Sequence, residues 1–116
     1  MRVYTYEPRG DGQMTELTFK RIRSGLYRSE STTVLVGPNG EEESQEVVIH
    51  VGKQNWNGSD TWSVQIWRSG NECGTHGLVT GSDCPCRTYK EAKAQAAVMV
   101  AAGFKYHSQV GYCLRG

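Results

Sequence analysis

The segment QEVVIHVGKQNWNGSDTWSVQIWR, residues 45–68, decides the fold. Within it, apolar residues recur at every second position, at 47, 49 and 51 and again at 62, 64 and 66. A period of two is typical of strands that bury one face. The polar, glycine-containing stretch 52–60 separates the two runs, so the segment predicts an antiparallel hairpin. His50 and Trp67 fall on the opposite face.

A helix is predicted after this hairpin, from the stretch TYKEAKAQAA at 88–97 onward. Thr88 and Glu91 have the spacing of a capping box, and Gly103 is typical of a C-terminal helix cap. One face is expected to pack on the sheet, and it carries Tyr89, Ala92, Ala96, Met99 and Val100.

The second half of this predicted helix is apolar on its other side as well. Small residues on that side would allow close approach by another helix or chain, and they are Ala94, Ala97, Val98 and Ala101. The alternatives are a fully buried helix end and an oligomer or partner surface.

Shorter strands are predicted on both sides of the central hairpin, at 3–6, 16–29 and 34–36 and again at 104–110. The segment 16–29, which contains Gly25, is either two short strands or one kinked strand. The turn at 37–40, Gly-Pro-Asn-Gly, separates two of them. The predicted fold class is therefore α+β. An antiparallel sheet of about four to five strands packs on one helix in the C-terminal half. Residues 1–116 are expected to form a single domain, with a cysteine-rich loop at 68–87.

That loop predicts a structural zinc site. Its four candidate ligands are Cys73, His76, Cys84 and Cys86, with Cys113 and His107 as alternates. Four nitrogen and sulfur ligands in tetrahedral array describe a closed zinc site. The pairs here are C-x-x-H and C-x-C, which departs from the usual C-x₂₋₄-C spacing.

Other chemistry of the same residues stays open. The even number of cysteines allows disulfides, and free thiols are normal in a reducing compartment. A catalytic Cys–His pair, Cys73 with His76 or His107, is a further alternative. The deaminase signature fails, because Pro85-Cys86 is followed by Arg87 and no His-x-Glu is present. No acid–base constellation points to an enzyme.

The overall charge and hydropathy restrict the partners and the compartment. The formal net charge is +1 and the mean hydropathy is −0.57, far from the basic excess of a strong DNA binder. The first residues, MRVYTYEPRGDG, lack the apolar run of a signal peptide, and no stretch is long enough to span a membrane. The expected compartment is the cytosol.

Two groups of residues are candidates for partner binding. A basic segment with one aromatic residue predicts contact with nucleic acid or another anionic partner, and it comprises Lys20, Arg21, Arg23, Tyr27 and Arg28. Alternatively this segment is a solvated strand face. Trp56 and Trp67 are candidates for an exposed protein-binding surface, although Trp67 also suits a second buried layer.

The pattern W-x-V followed by T-x-x-E-A-x-x-A resembles one found in short uncharacterised phage and actinobacterial proteins. It is also similar in outline to small DNA-binding domains of three strands and a helix, such as the arm-binding domain of tyrosine recombinases. The resemblance covers residues 45–103 and depends on Trp62, Val64, Thr88, Glu91, Ala92 and Ala96. These are core and capping positions, so the resemblance implies a fold more than an activity.

The sequence thus predicts a small non-enzymatic binding module with a zinc clip. The preferred partner is a protein, as for a phage-type accessory or inhibitor, or a second copy of the chain. Nucleic-acid binding through the sheet face is the alternative, and a small zinc or thiol enzyme is the third hypothesis.

Overall fold

The computed structural model describes residues 17–72, 74, 77–81 and 86–115. These residues form seven strands and one helix. In chain order the elements are β1 (Lys20–Arg23), β2 (Leu26–Val36), β3 (Glu42–Trp56), β4 (Ser59–Arg68), β5 (Leu78–Gly81), α1 (Tyr89–Ala102), β6 (Phe104–His107) and β7 (Gly111–Leu114).

The strands form one mixed sheet in the order β5-β4-β3-β2-β6-β7, with β1 also paired to β2. The β2–β6 pair is parallel and the other pairs are antiparallel. The sheet curves until β5 approaches β7, which gives a nearly closed, barrel-like structure. The predicted sheet of about four to five antiparallel strands on a helix is therefore wrong. It missed the parallel pair, because that pair depends on α1 returning the chain to β2.

The central hairpin of β3 and β4 is confirmed, but it is longer than predicted. Its strands continue through most of 52–60, and the turn consists of Asn57 and Gly58 with φ values of 52° and 82°. Positive φ at both central residues is the signature of the type I′ turn that Asn-Gly favours. The polar composition of this stretch therefore indicated a loop where the structure has a strand ladder.

Two strands share one edge of β2. β3 pairs along the whole of β2, so β1 and β6 both lie on the opposite edge, β1 near Tyr27 and β6 near Leu35. Gly25, with a φ of 78°, allows the reversal between β1 and β2. Of the two alternatives predicted for 16–29, two short strands or one kinked strand, the structure has two strands that form a hairpin.

One face of the sheet, the inner face, packs against α1. Its core residues alternate along the strands, as predicted for β3 and β4. The buried cluster comprises Leu35, Val47, Ile49, Val51, Val64, Ile66, Val79, Ala92, Ala96, Met99, Val100 and Phe104. Burial of this apolar surface is the main force that holds α1 on the sheet.

The ends of α1 are fixed by hydrogen bonds. The Glu91 N–H donates to Thr88 Oγ1 at 3.1 Å, and Gly103 ends the helix with a φ of 83°. The Glu91 carboxylate accepts from the N–H of Arg87, one residue earlier than in a standard capping box. At the other end, buried Thr33 donates to the carbonyl oxygen of Val100 at 2.7 Å. This bond satisfies one of the carbonyls that a helix end leaves unpaired.

The opposite face of the sheet, the outer face, is partly covered by the chain that follows β4. Val48 lies on this face and is 0% exposed. Glu72, beyond the end of β4, accepts a 2.7 Å hydrogen bond from Arg28 on β2. The predicted cysteine-rich loop also contains β5, and its later part is anchored by a bridge between Cys86 and Trp62. The described parts of the loop are held by the backbone pairing of β5 and of Cys86, and by the ion pair between Arg28 and Glu72.

The C-terminal segment forms a hairpin rather than one short strand. In this hairpin β6 is antiparallel to β7, with Phe104 opposite Leu114 at one end and His107 opposite Gly111 at the other. Val110 lies in the turn and is 71% exposed. Phe104 is fully buried, so this hairpin closes one side of the core.

Candidate functional site

Four aromatic rings pack together near the start of α1. We call Phe19, Tyr27, Trp62 and Tyr89 the aromatic cluster. The Tyr27 and Tyr89 rings stack with centroids 4.1 Å apart, and Phe19 meets Tyr89 edge-on at 6.4 Å. Burial, together with nearby Tyr27, raises the pKa of Tyr89. The cluster fixes the β1–β2 hairpin against the N-terminal end of α1.

Basic residues lie on β1 and at the start of α1, the elements that the aromatic cluster joins. We call this set the basic end, and it comprises Lys20, Arg21, Arg23, Arg87, Lys90 and Lys93. Arg21 pairs with Tyr27 across β1 and β2, and Lys93 Nζ lies 4.8 Å from the Tyr89 ring centroid. Among the described residues, none of the six forms a salt bridge with a carboxylate. Five are exposed and Lys93 is half-buried.

Four of the eight acidic residues in the described part of the chain lie at the other end of the long strands. Glu41, Glu42, Glu43 and Glu46 lie at or near the turn between β2 and β3. The β1–β2 turn and the first helical turns lie at the opposite end of β2, as the strand registers show. Among the described residues the charge is therefore unevenly distributed along the strand axis, although Asp60 and Glu91 lie at the same end as the basic residues. The sequence hypothesis missed half of the basic end because Arg87, Lys90 and Lys93 are distant in the chain.

Arg28 is not part of this set, although it was predicted with it. Its guanidinium donates to Glu30 and to Glu72, both at 2.7 Å. Hydrogen bonding to Arg28 lowers the pKa of Glu72. Burial lowers the pKa of neighbouring His50, against the opposing effect of the Glu72 charge. Arg28 thus forms a partly exposed ion pair on the outer face.

Three of the predicted zinc ligands, Cys73, His76 and Cys84, lie outside the described residues. Cys86 lies just before α1, and its sulfur donates a hydrogen bond to Gln95 Oε1 within the helix at 3.3 Å. The alternates Cys113 and His107 lie on the β6–β7 hairpin. Within the described part of the chain, no three His, Cys, Asp or Glu side chains group as a metal site. The zinc site stays a prediction.

The remaining predicted partner residues have mixed environments. Tyr27 is half-buried in the aromatic cluster. Trp67 is half-buried on the outer face, and its Nε1 is buried without a hydrogen-bond partner among the described residues. Both rings are therefore held within the fold. The side chain of Trp56 lies outside what the structure describes.

The predicted oligomer surface on α1 divides between core and solvent. Ala101 is 6% exposed and belongs to the buried side, whereas Val98 is 47% exposed. Ala94 is exposed and Ala97 is half-buried. The exposed apolar area is thus smaller than the sequence pattern suggested.

A further constellation was not anticipated, and it lies at the C-terminal end of β4. Arg68 Nη1 donates to Gln45 Oε1 at 3.1 Å, and its Nη2 donates to the hydroxyl of Tyr112 at 3.3 Å. Tyr106 meets Tyr112 edge-on. We call Gln45, Arg68, Tyr106 and Tyr112 the Arg68 site. Its residues come from four strands, so local sequence gave no signal for it.

Comparison with known proteins yields no relationship. No family model, no curated protein and no solved structure matches this chain. The resemblance to phage and actinobacterial proteins stays a prediction. In the described part of the chain, no helix has the length and apolar character needed to cross a bilayer.

Proposed function

We propose that the protein is a small binding module whose basic end contacts the phosphate backbone of nucleic acid. The observation that carries this proposal is the placement of six basic residues on β1 and at the start of α1, elements that the aromatic cluster holds together. None of the six is in a salt bridge within the described residues. Each such side chain can neutralise a phosphate and release a counterion.

The aromatic cluster supports phosphate contacts rather than base stacking. Tyr27 and Tyr89 stack on each other, and Trp62 lies 5.3 Å from Tyr89 between ring centroids. Rings already packed together have little free face to offer an unstacked base. Binding is therefore expected to depend weakly on sequence and strongly on salt, since phosphate contacts carry no sequence information.

Fluorescence anisotropy with labelled single-stranded and duplex oligonucleotides tests this proposal. Because Z phosphate contacts give a slope of about −0.9Z on duplex DNA, six contacts set a limit of about −5 for log K against log salt. Replacing Arg21 and Lys93 together by Gln should weaken binding at least about tenfold and reduce this slope.

Lys105→Gln is the matched control, because Lys105 is exposed on β6, away from the basic end. It should leave affinity and slope nearly unchanged. No binding to either oligonucleotide at low salt, or equal losses in both variants, would reject the proposal.

A zinc clip through Cys73, His76, Cys84 and Cys86 remains part of this proposal. Its support is the presence of four nitrogen and sulfur ligands within residues 73–86. Elemental analysis of purified protein should find one zinc per chain, and Cys84→Ser or a strong chelator should lower the melting temperature. Metal-free protein with four titratable thiols would exclude the clip.

A protein-binding accessory is the second candidate, and exposed apolar residues at the sheet ends favour it. Leu78 on β5 is 45% exposed and Leu114 on β7 is 50% exposed. Within the described residues, each of these strands pairs on one edge only. Because these two strands approach each other where the sheet nearly closes, a partner would contact the exposed Leu78 and Leu114 side chains. Partner capture that persists in high salt and is lost in Leu114→Asp, but not in Lys105→Gln, would support this candidate.

A further inference from the structure

Arg68 is placed so that its guanidinium faces the interior side of the sheet. Arg68 lies on the same face of β4 as Val64 and Ile66, and both of those residues are fully buried. The side chain of Arg68 is half-buried and reaches from β4 to Tyr112 on β7. The side chain therefore spans the region where the curved sheet nearly closes.

The contacts of this guanidinium are all neutral in the described part of the chain. It donates to an amide oxygen of Gln45 and to the hydroxyl of Tyr112. The four salt bridges found there use Arg28, Lys53 and Arg115 but not Arg68. A half-buried cation without an opposite charge retains much of its desolvation cost. An anion bound beside it would offset that cost.

Some donors of the Arg68 guanidinium are unused within the described residues. A guanidinium has five N–H donors in one plane, and Gln45 and Tyr112 use two of the five that Arg68 carries. Three remain within the described residues, one each on Nε, Nη1 and Nη2, and a carboxylate can accept hydrogen bonds from them. Because Gln45 and Tyr112 hold the planar group in place, little further entropy is lost on binding.

Aromatic surface lies next to these donors. Arg68 Cζ is 5.4 Å from the Tyr112 ring centroid, and the Tyr106 ring meets Tyr112 edge-on at the same centroid distance of 5.4 Å. Both tyrosines are half-buried. Ligand sites commonly combine apolar and aromatic walls with a few fixed polar groups.

We propose that the Arg68 site binds a carboxylate attached to an aromatic or other apolar group. The carboxylate pairs with the free N–H groups of Arg68, and the apolar group lies against Tyr106 and Tyr112. This site is separate from the basic end and does not depend on nucleic-acid binding. The same chemistry occurs in a small free acid and in the C-terminal carboxylate of a peptide that ends in an aromatic residue.

NMR titration of the full chain distinguishes these two sources. The probes are benzoate and N-acetylphenylalanine, with benzamide and N-acetylphenylalaninamide as neutral counterparts. We expect shifts of the Arg68 Nε–H and of the Tyr106 and Tyr112 ring resonances. We also expect at least about tenfold tighter binding of each acid that fits than of its amide, in line with the strength of charge-assisted bonds. Preference for N-acetylphenylalanine over benzoate would indicate a peptide terminus, and the reverse a small acid.

Variants test the assignment to Arg68. Arg68→Gln should abolish the preference for acid over amide, and Arg68→Lys should weaken it because the planar fork is lost. Arg115→Gln is the control, since Arg115 lies at the end of β7 and is already within 3.9 Å of Glu42. Equal binding of acids and amides, or an unchanged preference in Arg68→Gln, would overturn the proposal.

A further variant keeps the proposal testable even if Arg68→Gln does not fold. Tyr112→Phe retains the ring and frees one more N–H of Arg68. The preference for the acid should persist or increase in this variant. Its loss would show that the tyrosine hydroxyl, not the guanidinium, recognises the carboxylate.

Discussion

On the inner face of the sheet, apolar side chains of β2, β3 and β4 pack against α1, whereas on the outer face the chain after β4 lies against β2 through an ion pair. Ile49 and Ile66 are neighbours on the inner face, and both are 0% exposed. Arg28 and Glu72 on the outer face retain 30% and 32% side-chain exposure. The inner contact should therefore dominate stability, and the outer contact should mainly fix the position of the loop.

The largest expected effect comes from the inner face. Ile49→Ala should lower the free energy of unfolding by about 2–5 kcal/mol, because a fully buried side chain is removed and a cavity is left. Urea denaturation monitored by tryptophan fluorescence measures the change. Gln65→Ala, at an exposed outer-face position of β4, should change stability by less than about 0.5 kcal/mol. Similar losses in both variants would contradict the comparison.

Thr33 introduces a polar contact into the inner face. Thr33→Val removes the hydroxyl that donates to Val100 O at 2.7 Å and leaves a helix carbonyl without that partner. We expect a loss of about 1–2 kcal/mol in the same denaturation assay. Thr32→Val, on the exposed outer side of the same strand, is the control and should be nearly neutral. A neutral Thr33→Val would mean that another donor satisfies this carbonyl.

A smaller effect is expected for the ion pair on the outer face. A double-mutant cycle with Arg28→Met and Glu72→Gln should give a coupling of less than about 1 kcal/mol, reduced by salt, because the pair is partly solvated. Lys53 and Asp60, 3.3 Å apart and more exposed, form the reference pair and should show no measurable coupling. Coupling well above this bound and insensitive to salt would show that the loop buries the pair more fully.

The pH dependence of the ion pair should be smaller still. Arg28 holds the pKa of Glu72 below its usual value of 4.5. Above that value Glu72 is ionised in both the folded and the unfolded chain, so its full contribution is present. It is lost as the pH falls through the lower pKa of the folded state. The stability difference between wild type and Glu72→Gln should therefore shrink between about pH 6 and about pH 3. A constant difference would contradict this assignment.

The parts of the fold that could be predicted are those in which one local pattern decides the outcome. The alternation in β3 and β4 and the cap residues of α1 are such patterns, and both are confirmed. The parallel β2–β6 pair, the outer-face ion pair and the Arg68 site each join residues that are distant in the chain. No spacing in the sequence reports such contacts.

The candidate sites also differ in whether a local sequence pattern reveals their residues. Lys20, Arg21 and Arg23 were recognisable because they are consecutive or nearly so, whereas Lys93 joins them only through contact with Tyr89. Arg28 looked equivalent to its neighbours in sequence. Its strand position turns it toward Glu72, so a basic run alone could not distinguish cations that have a carboxylate partner from those that have none among the described residues.

The turn at Asn57 and Gly58 has a kinetic consequence. A two-residue connection costs little loop-closure entropy, so the β3–β4 hairpin can form early in folding. Leu35 can pair with Phe104 only after α1 has docked and the chain has reversed at Gly103. A Cβ added at Gly103 would lie 2.9 Å from Val34 O, so a side chain there would hinder this reversal. In stopped-flow chevrons, Gly58→Ala should mainly slow folding, and Gly103→Ala should mainly speed unfolding. If Gly103→Ala instead slowed folding and Gly58→Ala sped unfolding, the folding nucleus would lie in the C-terminal half of the chain.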